Sequence, residues 1–237
     1  MNLPKLPTKR TRRELLKMTP LLGAAALFLP SSRDWLLEHG VGLSDRASET
    51  TFRSMHLAPT FSDRAVTALD QFPLNSYLQD DPDVDLEAWR LTVEGLVQHA
   101  GEYAIDTIRQ LPKITQNTRH VCVEGWDVIG NFGGARLADF LDRVGADPTA
   151  RFIEVSCADD YYESLEMAAA RHPQTLLCYE MYGQPITREH GAPVRLQIPT
   201  KLGYKQAKYL MTLRVTNVLQ AKRGYWEDQG YAWHGGL

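Results

Sequence analysis

Cysteine is scarce in this chain of 237 residues, which contains three cysteines and no C-x-x-C pair. An odd and small number of cysteines cannot build a dense disulfide framework, and a c-type haem needs the missing C-x-x-C-H. The zinc deaminase signature is missing as well, because the chain has no P-C-x-x-C and no Glu two residues after His120. These absences exclude three common classes of cysteine-dependent protein.

Neither sign of charge dominates, because the chain has 26 Lys and Arg residues and 29 Asp and Glu residues, which gives a net charge of −3. Without a long basic run the chain is a poor candidate for a nucleic-acid binder. Residues 130–134 are rich in glycine but match neither phosphate-binding glycine pattern, and no G-x-S-x-G nucleophile elbow is present. Hydrophobic residues at 43% and charged residues at 23% are ordinary for a soluble protein and argue against disorder or several membrane spans.

Long apolar runs are also missing, even at the N-terminus. The uncharged stretch from Met18 to Ser32 has 15 residues and is interrupted by two prolines and a glycine, whereas a spanning helix needs about 20 apolar residues. Five basic residues precede this stretch, and the pair Arg12-Arg13 is followed by Leu15-Leu16-Lys17. This pattern predicts a twin-arginine export signal over residues 1–32 and a periplasmic location.

Two points about this segment stay open from the sequence. Ala24-Ala25-Ala26 has the small-residue form of a cleavage site but would leave a very short apolar core. A retained signal that tethers the protein to the membrane is therefore an alternative to cleavage. An ordinary basic amphipathic helix is the structural alternative to a signal.

The rest of the chain divides into a predicted linker with some helix near Asp63–Leu69, over residues 33–70, and one domain over residues 71–237. In the domain, apolar residues at i, i+3, i+4 and i+7 predict a helix from Ala135 to Val144, which Gly145 closes. Alternation or short apolar runs predict strands around Leu91–Val93, Arg119–Val123, Phe152–Ser156, Val194–Ile198 and Tyr209–Val215. Many strands and few helices predict a sheet-rich mixed α+β domain.

The stretch Arg119-His120-Val121-Cys122-Val123-Glu124-Gly125-Trp126 places a single thiol among charged and titratable side chains. In strand geometry Cys122 and Glu124 project to the same face. A nearby cation favours the thiolate, which is a ligand for soft metals. The alternative interpretation is a structural cysteine and a histidine that merely satisfies its own hydrogen bonds.

A second cluster follows about seventy residues later. His190-Gly191-Ala192-Pro193-Val194-Arg195 leads into residues 199–208, where Lys201, Lys205 and Lys208 surround a loop between two predicted strands. Clustered cations on a strand–loop–strand unit suit a phosphate or another anion. Taken alone, the loop is equally well explained as a solvated turn.

Together with the end Gly224–Tyr231, these two clusters resemble the sulfite oxidase superfamily of molybdopterin-dependent oxidoreductases. They are most similar to its exported, haem-free bacterial branch, which includes the catalytic subunit of protein-methionine-sulfoxide reductase. The resemblance covers residues 70–237 and implies the fold of the sulfite oxidase molybdopterin-binding domain. It also implies one molybdenum with molybdopterin per chain and no haem in this chain.

The resemblance assigns the site residue by residue. Cys122 would be the protein thiolate on molybdenum, and Glu124 would lie beside the metal, where it would either support the metal ligands by hydrogen bonding or deliver protons. Cys157 stands where the family has a threonine that touches the cofactor, and His190 stands where the family has an asparagine. The pterin contacts implied by the resemblance are Asn75, Leu78, Gln79, Cys157, His190, Arg195, Lys205, Gln206, Ala207 and Lys208.

The function implied is two-electron oxygen-atom transfer, with reduction of a sulfoxide-type substrate favoured over oxidation of a small sulfur anion. The electrons would come from a membrane haem or quinol-linked protein. Arg119 and Arg136 cannot be placed in a pocket for a sulfur oxyanion from the sequence, which disfavours sulfite oxidation. Trp126, Tyr161 or Tyr162, Trp226 and Trp233 are candidates for an aromatic funnel. A non-catalytic module that binds a pterin or another anion is the rival, and a monomer is expected.

Overall fold

The computed structural model describes residues 56–76 and 80–237. The predicted export signal over residues 1–32 and the predicted pterin contacts Leu78 and Gln79 lie outside the described residues. Within the described ranges, no helix has the length and apolarity needed to span a bilayer.

Two five-stranded sheets make up the described part of the chain. The first sheet has the order β2-β1-β10-β5-β6, and the second joins β3, β4 and β7, with β8 and β9 both paired to β7. β1 and β10 run parallel, and the other strand pairs among the described residues are antiparallel. The strands are β1 Leu91–Gly95, β2 Gly101–Tyr103, β3 Lys113–Val121, β4 Asp127–Arg136, β5 Phe152–Cys157, β6 Tyr162–Glu166, β7 Leu176–Met181, β8 Gln184–Pro185, β9 Arg195–Gln197 and β10 Leu210–Thr216.

Three short α-helices are described: α1 Ile105–Arg109, α2 Leu137–Arg143 and α3 Met167–Ala170. In α2, Leu137, Phe140 and Leu141 are fully buried in the main core cluster, as the period of 3.6 residues predicts. The helix ends where Gly145 adopts φ of 64°, a conformation that favours glycine. The main core includes buried side chains of both sheets, so it joins them into one hydrophobic interior.

The glycine-rich stretch 130–134 is part of β4, a role that the sequence analysis did not assign to it. A Cβ on Gly134 would lie 2.2 Å from the carbonyl oxygen of Leu177 in the neighbouring strand β7. Glycine is required there because the two backbones approach too closely for any side chain. The stretch therefore serves the packing of the sheet, in agreement with its mismatch to both phosphate-binding glycine patterns.

The described part of the predicted linker packs against the second sheet. Thr60 forms a bridge with Thr118 of β3, and Thr67 donates its backbone N–H to the carbonyl of Ile129 in β4 at 2.9 Å. In place of one helix near Asp63–Leu69, the chain forms two 3₁₀ turns, Asp63–Ala65 and Leu69–Gln71. Backbone contacts thus attach residues 60–67 to β3 and β4. These contacts bring Phe72 and Asn75 to the site described next.

Candidate active site

A tight turn between β3 and β4 carries the predicted thiol. Cys122 donates its backbone N–H to the carbonyl of Trp126 at 2.9 Å, and Gly125 donates its N–H back to the carbonyl of Cys122 at 3.2 Å. Gly125 has φ of 95°, which closes the turn without steric strain. The turn presents Cys122, Glu124 and Trp126 on the rim of a cavity.

Asn75 joins the thiol to the carboxylate. Its Nδ2 donates to Cys122 Sγ at 3.4 Å and to Glu124 Oε2 at 3.3 Å, while Trp126 Nε1 donates to the same Oε2 at 3.0 Å. The sequence analysis placed Cys122 and Glu124 on one face of a strand, but β3 ends at Val121. Their proximity comes from the turn and from Asn75, so the predicted neighbourhood is present for a different geometric reason.

The pKa values of the two titratable groups in the turn are shifted in opposite directions. Burial, together with the nearby Glu124 carboxylate, raises the pKa of the Cys122 thiol. Hydrogen bonds from Trp126 and then from Asn75 lower the pKa of Glu124. At neutral pH the turn therefore holds a thiol beside a carboxylate, and a metal ion that binds the sulfur displaces the thiol proton.

The cavity has a volume of about 360 Å³, within the range of small-molecule and cofactor sites. Its walls come from the β3–β4 turn, the segment before β1, the loop after β5, the residues around β9, the 203–208 loop and the C-terminal segment. The lining residues that the resemblance had assigned to cofactor or metal are Asn75, Cys122, Glu124, His190, Arg195, Gln206, Ala207 and Lys208.

Two cations, the buried Arg195 and the partly buried Lys208, line the cavity, and we call them the cation pair. Arg195 is buried and donates to the carbonyls of His190 at 3.0 Å, Gln206 at 3.3 Å and Leu196 at 3.4 Å. It forms no ion pair with a carboxylate of the described residues. Lys208 donates to the carbonyl of Glu189 at 2.9 Å, and burial and then Arg195 lower its pKa to about 8.

Two buried histidines stay neutral beside these cations. Burial, and then the charge of Arg195, lower the pKa of His120 to about 3 and that of His190 to about 4. A series of neighbouring rings leads from the thiol turn to the cation pair. The ring centroid of His120 lies 5.9 Å from that of Trp126 and 5.7 Å from that of Phe72. The centroid of Phe72 in turn lies 5.1 Å from that of His190. Neutral imidazoles bring hydrogen-bonding nitrogen atoms to this region without adding positive charge.

Two predicted cofactor contacts do not line this cavity. Lys205 turns its ammonium away, into Glu163 at 2.5 Å and Glu227. Cys157 lies in the main core, where burial, and then Asp159, raise the pKa of its thiol well above the ordinary value. The described structure places Asp159, two residues later, on the cavity wall instead.

The aromatic wall contains the predicted Trp126, Tyr161 and Trp226, together with residues that sequence reasoning missed. Tyr161 faces the cavity, whereas the hydroxyl of Tyr162 donates to Asp228 Oδ2 at 2.6 Å. Trp233 is buried and donates to Ser164 Oγ at 2.8 Å, so it belongs to the packing behind the wall. The missed aromatic residues of the lining are Phe72, Tyr204, Tyr225 and Tyr231. Tyr204, Tyr225 and Tyr231 lie within the motifs that carry the resemblance, but no local pattern marks them as cavity residues.

The described residues form a sheet-rich α+β fold in which one cavity is lined by the Cys122 thiol and by the buried Arg195 guanidinium. Residues 78–226 match the family profile described as the oxidoreductase molybdopterin binding domain. The chain belongs to this family of molybdopterin-binding oxidoreductases. The predicted fold class and the predicted enzyme class are confirmed.

The relatives of this chain include subunits of protein-methionine-sulfoxide reductase and a sulfite oxidase. A protein of Azospira oryzae, provisionally named as a protein-methionine-sulfoxide reductase subunit, is 46% identical over 187 residues, which cover 78% of this chain and 70% of the relative. The protein-methionine-sulfoxide reductase catalytic subunit of Ralstonia nicotianae is 34% identical over 142 residues, which cover 53% of this chain and 43% of that protein. Sulfite oxidase of Arabidopsis thaliana is 31% identical over 63% of this chain and 47% of its own length. The chain therefore spans less than half of the last two relatives.

A solved structure supports the fold. The sulfane dehydrogenase SoxCD from Paracoccus pantotrophus matches with a TM-score of 0.55 and 18% identity, over 58% of this chain and 40% of that chain. At this identity the likeness shows the fold alone.

Proposed function

We propose that this chain is an exported molybdenum-cofactor enzyme that reduces a sulfoxide-type substrate to a thioether. The observation that carries the proposal is that one cavity receives both the Cys122–Glu124 turn and the Arg195–Lys208 cation pair. A cofactor with a metal at one end and a phosphate at the other needs this combination. Neither half alone would distinguish such a site from a simple anion or thiol site.

The residues present fit the group. Arg195 is a buried cation whose guanidinium meets carbonyl oxygens and no carboxylate of the described residues, so an incoming phosphate would supply the missing charge. Cys122 offers the one soft donor that a metal already held by a dithiolene requires. When bound, molybdopterin supplies the metal and its two-electron redox change; one molybdenum per chain and no haem are part of the proposal.

The protein residues have separate tasks in this reaction. Reduction of a sulfoxide consumes two electrons and two protons and yields the thioether and water. Glu124, held by Asn75 and Trp126, is placed on the rim to hold and pass a proton through Oε2. Asn75 orients both the carboxylate and the thiol, which keeps the proton-handling group next to the sulfur.

The aromatic wall supports a thioether or sulfoxide substrate. Trp126, Trp226 and Tyr231 provide apolar ring faces, and sulfur packs favourably against aromatic rings. Leu74, Val123 and Tyr231 are exposed apolar side chains beside lining residues or among them. The names of the Azospira and Ralstonia relatives support the same substrate class.

Oxidation of sulfite is the alternative reaction. A dianionic substrate needs cations at the reacting end, and among the described lining residues Arg195 is the one arginine. Arg119 pairs with Asp127 at 3.2 Å and does not line the cavity. This arrangement favours a neutral substrate over a sulfur oxyanion.

Electrons from a membrane haem or quinol-linked protein complete the proposal, as does export by the twin-arginine signal over residues 1–32. The basic residues up to Arg13 and the short uncharged run support the export signal. A retained signal would also keep the enzyme close to a membrane partner.

The test is turnover of the cofactor-loaded enzyme with two substrates. With a reduced viologen dye as electron donor, we expect oxidation of the dye to depend on a methionine sulfoxide peptide. With ferricyanide as electron acceptor, we expect little oxidation of sulfite. Efficient sulfite oxidation without sulfoxide reduction would overturn the proposal in favour of the alternative.

A further inference from the structure

A cluster of buried charges lies behind the cavity. Lys205 is fully buried, and its ammonium contacts Glu163 Oε1 at 2.5 Å and the carboxylate of Glu227. We call these three residues the Lys205 cluster. Its members come from three separate parts of the chain: the 203–205 turn, strand β6 and the C-terminal 3₁₀ turn Glu227–Gln229.

The charges of the cluster depend on one another. Burial alone would lower the pKa of Lys205, but the attraction of Glu163 and Glu227 raises it above the ordinary value. Burial raises the pKa of Glu163 well above its ordinary value, against the opposing effect of Lys205. Removing the ammonium would leave two carboxylates without a counter-charge, and one would have to move out or take up a proton.

The cluster fixes residues 224–231, which we call the C-terminal wall. Gly224 bridges to Glu163, and Tyr225 donates its N–H to the carbonyl of Tyr162 at 3.0 Å. A Cβ on Gly224 would lie 2.0 Å from Glu227 Oε2 and 2.8 Å from Glu163 Oε1. The two carboxylates therefore close over the backbone of Gly224 and hold the wall against β6.

The C-terminal wall supplies three aromatic lining residues, Tyr225, Trp226 and Tyr231. Lys205 directly precedes Gln206, Ala207 and Lys208, which line the cavity from another side. One ammonium thus ties the aromatic wall to the loop that carries the cation site. Its ammonium contacts two carboxylates, and Lys205 is not among the residues that line the cavity.

We propose that Lys205, with Glu163 and Glu227, is a positioning device that holds the C-terminal wall and thereby sets substrate affinity, and that Lys205 does not contact the cofactor. The substrate part of this statement rests on the proposed sulfoxide reduction. The structural part does not depend on it.

The test compares Lys205→Met with Lys201→Met in the loaded enzyme. Lys201 is the matched control, because it is equally buried in the same loop but pairs with Glu166 and His234, next to residues 234–237. For Lys205→Met we expect pterin content unchanged, KM for the sulfoxide raised about tenfold or more, and a smaller change in kcat. We also expect amide hydrogen exchange at residues 225–231 to accelerate at least tenfold, and Lys201→Met to leave that exchange near wild type.

Loss of pterin in Lys205→Met with unchanged exchange at residues 225–231 would overturn the proposal, because Lys205 would then act on the cofactor. Equal acceleration at these residues in both variants would also overturn it, since the effect would be general loosening. If Lys205→Met does not fold, Glu227→Ala releases the same wall from its own side and must give the same exchange pattern with pterin retained. If wild type reduces no sulfoxide, the exchange and pterin readouts still decide the structural part.

Discussion

Cys122 differs from the other two cysteines in its surroundings. It is partly exposed on the cavity rim, whereas Cys157 and Cys178 are buried, and burial raises the pKa of Cys178 to about 11. A soft metal ligand must be reachable by the metal and able to lose its proton. This combination of exposure and neighbours marks Cys122 as the metal ligand in the proposed mechanism.

Cys122→Ser should therefore lose most bound molybdenum and reduce turnover at least 100-fold, because a hydroxyl is a harder donor than a thiolate and loses its proton far less readily. Metal analysis by mass spectrometry and the dye assay measure the two effects. Cys178→Ala is the control, since it removes a buried thiol of β7 and should keep molybdenum. Full activity of Cys122→Ser would contradict the assigned role.

Arg195→Gln should reduce the amount of pterin that the protein binds. The substitution removes the buried guanidinium that the phosphate would pair with and leaves carbonyl acceptors of His190 and Gln206 without a donor. We expect pterin content to fall at least tenfold, as measured by fluorescence after oxidation and release. Arg119→Gln, an exposed arginine outside the cavity lining, should keep its pterin.

The lowered pKa of His190 has a consequence for stability. A histidine with a folded pKa of about 4 and an unfolded pKa near 6.5 binds fewer protons when folded. Its contribution is present above pH 6.5 and is lost as pH falls from about 6.5 toward 4. The loss is on the order of 2–3 kcal/mol at pH 4.

His190→Asn should therefore flatten the decrease of unfolding free energy between pH 6.5 and 4 in the cofactor-free protein. Urea unfolding at several pH values measures this. His99→Asn, which makes the same substitution at an exposed histidine, is the matched control. An unchanged profile in His190→Asn would show that this imidazole does not stay neutral in the fold.

Among the elements, segments whose apolar residues recur at a regular spacing were predictable, and segments without such a spacing were not. Helix α2 and strands β5 and β10 followed from the spacing of apolar residues. In strand β7, five of the six residues are buried, so apolar and polar residues do not alternate and its sequence does not show the two-residue period of a strand. Strand β4 was hidden by its glycines, of which Gly134 is needed for the close approach of β7.

The close contact between β4 and β7 makes a prediction at this scale. Gly134→Ala should destabilise the protein by about 3 kcal/mol, because its Cβ would meet backbone atoms of β7 that cannot yield separately. Gly133→Ala is the control in the same strand, since its Cβ would meet the Glu180 side chain at 3.2 Å. Equal unfolding free energies of the two variants in urea would contradict the argument.

The candidate site was partly predictable for a related reason. The thiol, the carboxylate and the cations of residues 190–208 lie in short stretches where neighbours in sequence are neighbours in space. The partners of Lys205 lie 42 and 22 residues away in sequence, so its commitment to carboxylates appears only in the fold. The aromatic wall was incomplete for the same reason, because Phe72 and Tyr231 reach the cavity only after folding.

On the scale of the whole molecule, the two sheets act as a frame and the loops between strands form the site. The β3–β4 turn brings the thiol, β9 and the following loop bring the cations, and the C-terminal wall brings the rings. Each part is attached to a strand that is itself buried or paired, and these strands hold the site in a fixed geometry. The account requires that one ligand with a metal and a phosphate spans these parts.

The most direct test is an analysis of molybdenum and pterin in protein purified after export from a host that makes molybdopterin. The account predicts close to one molybdenum per chain, together with a fluorescent oxidised pterin in the same ratio. A folded and exported protein that contains neither molybdenum nor pterin would contradict it and would favour a non-catalytic module that binds another anion.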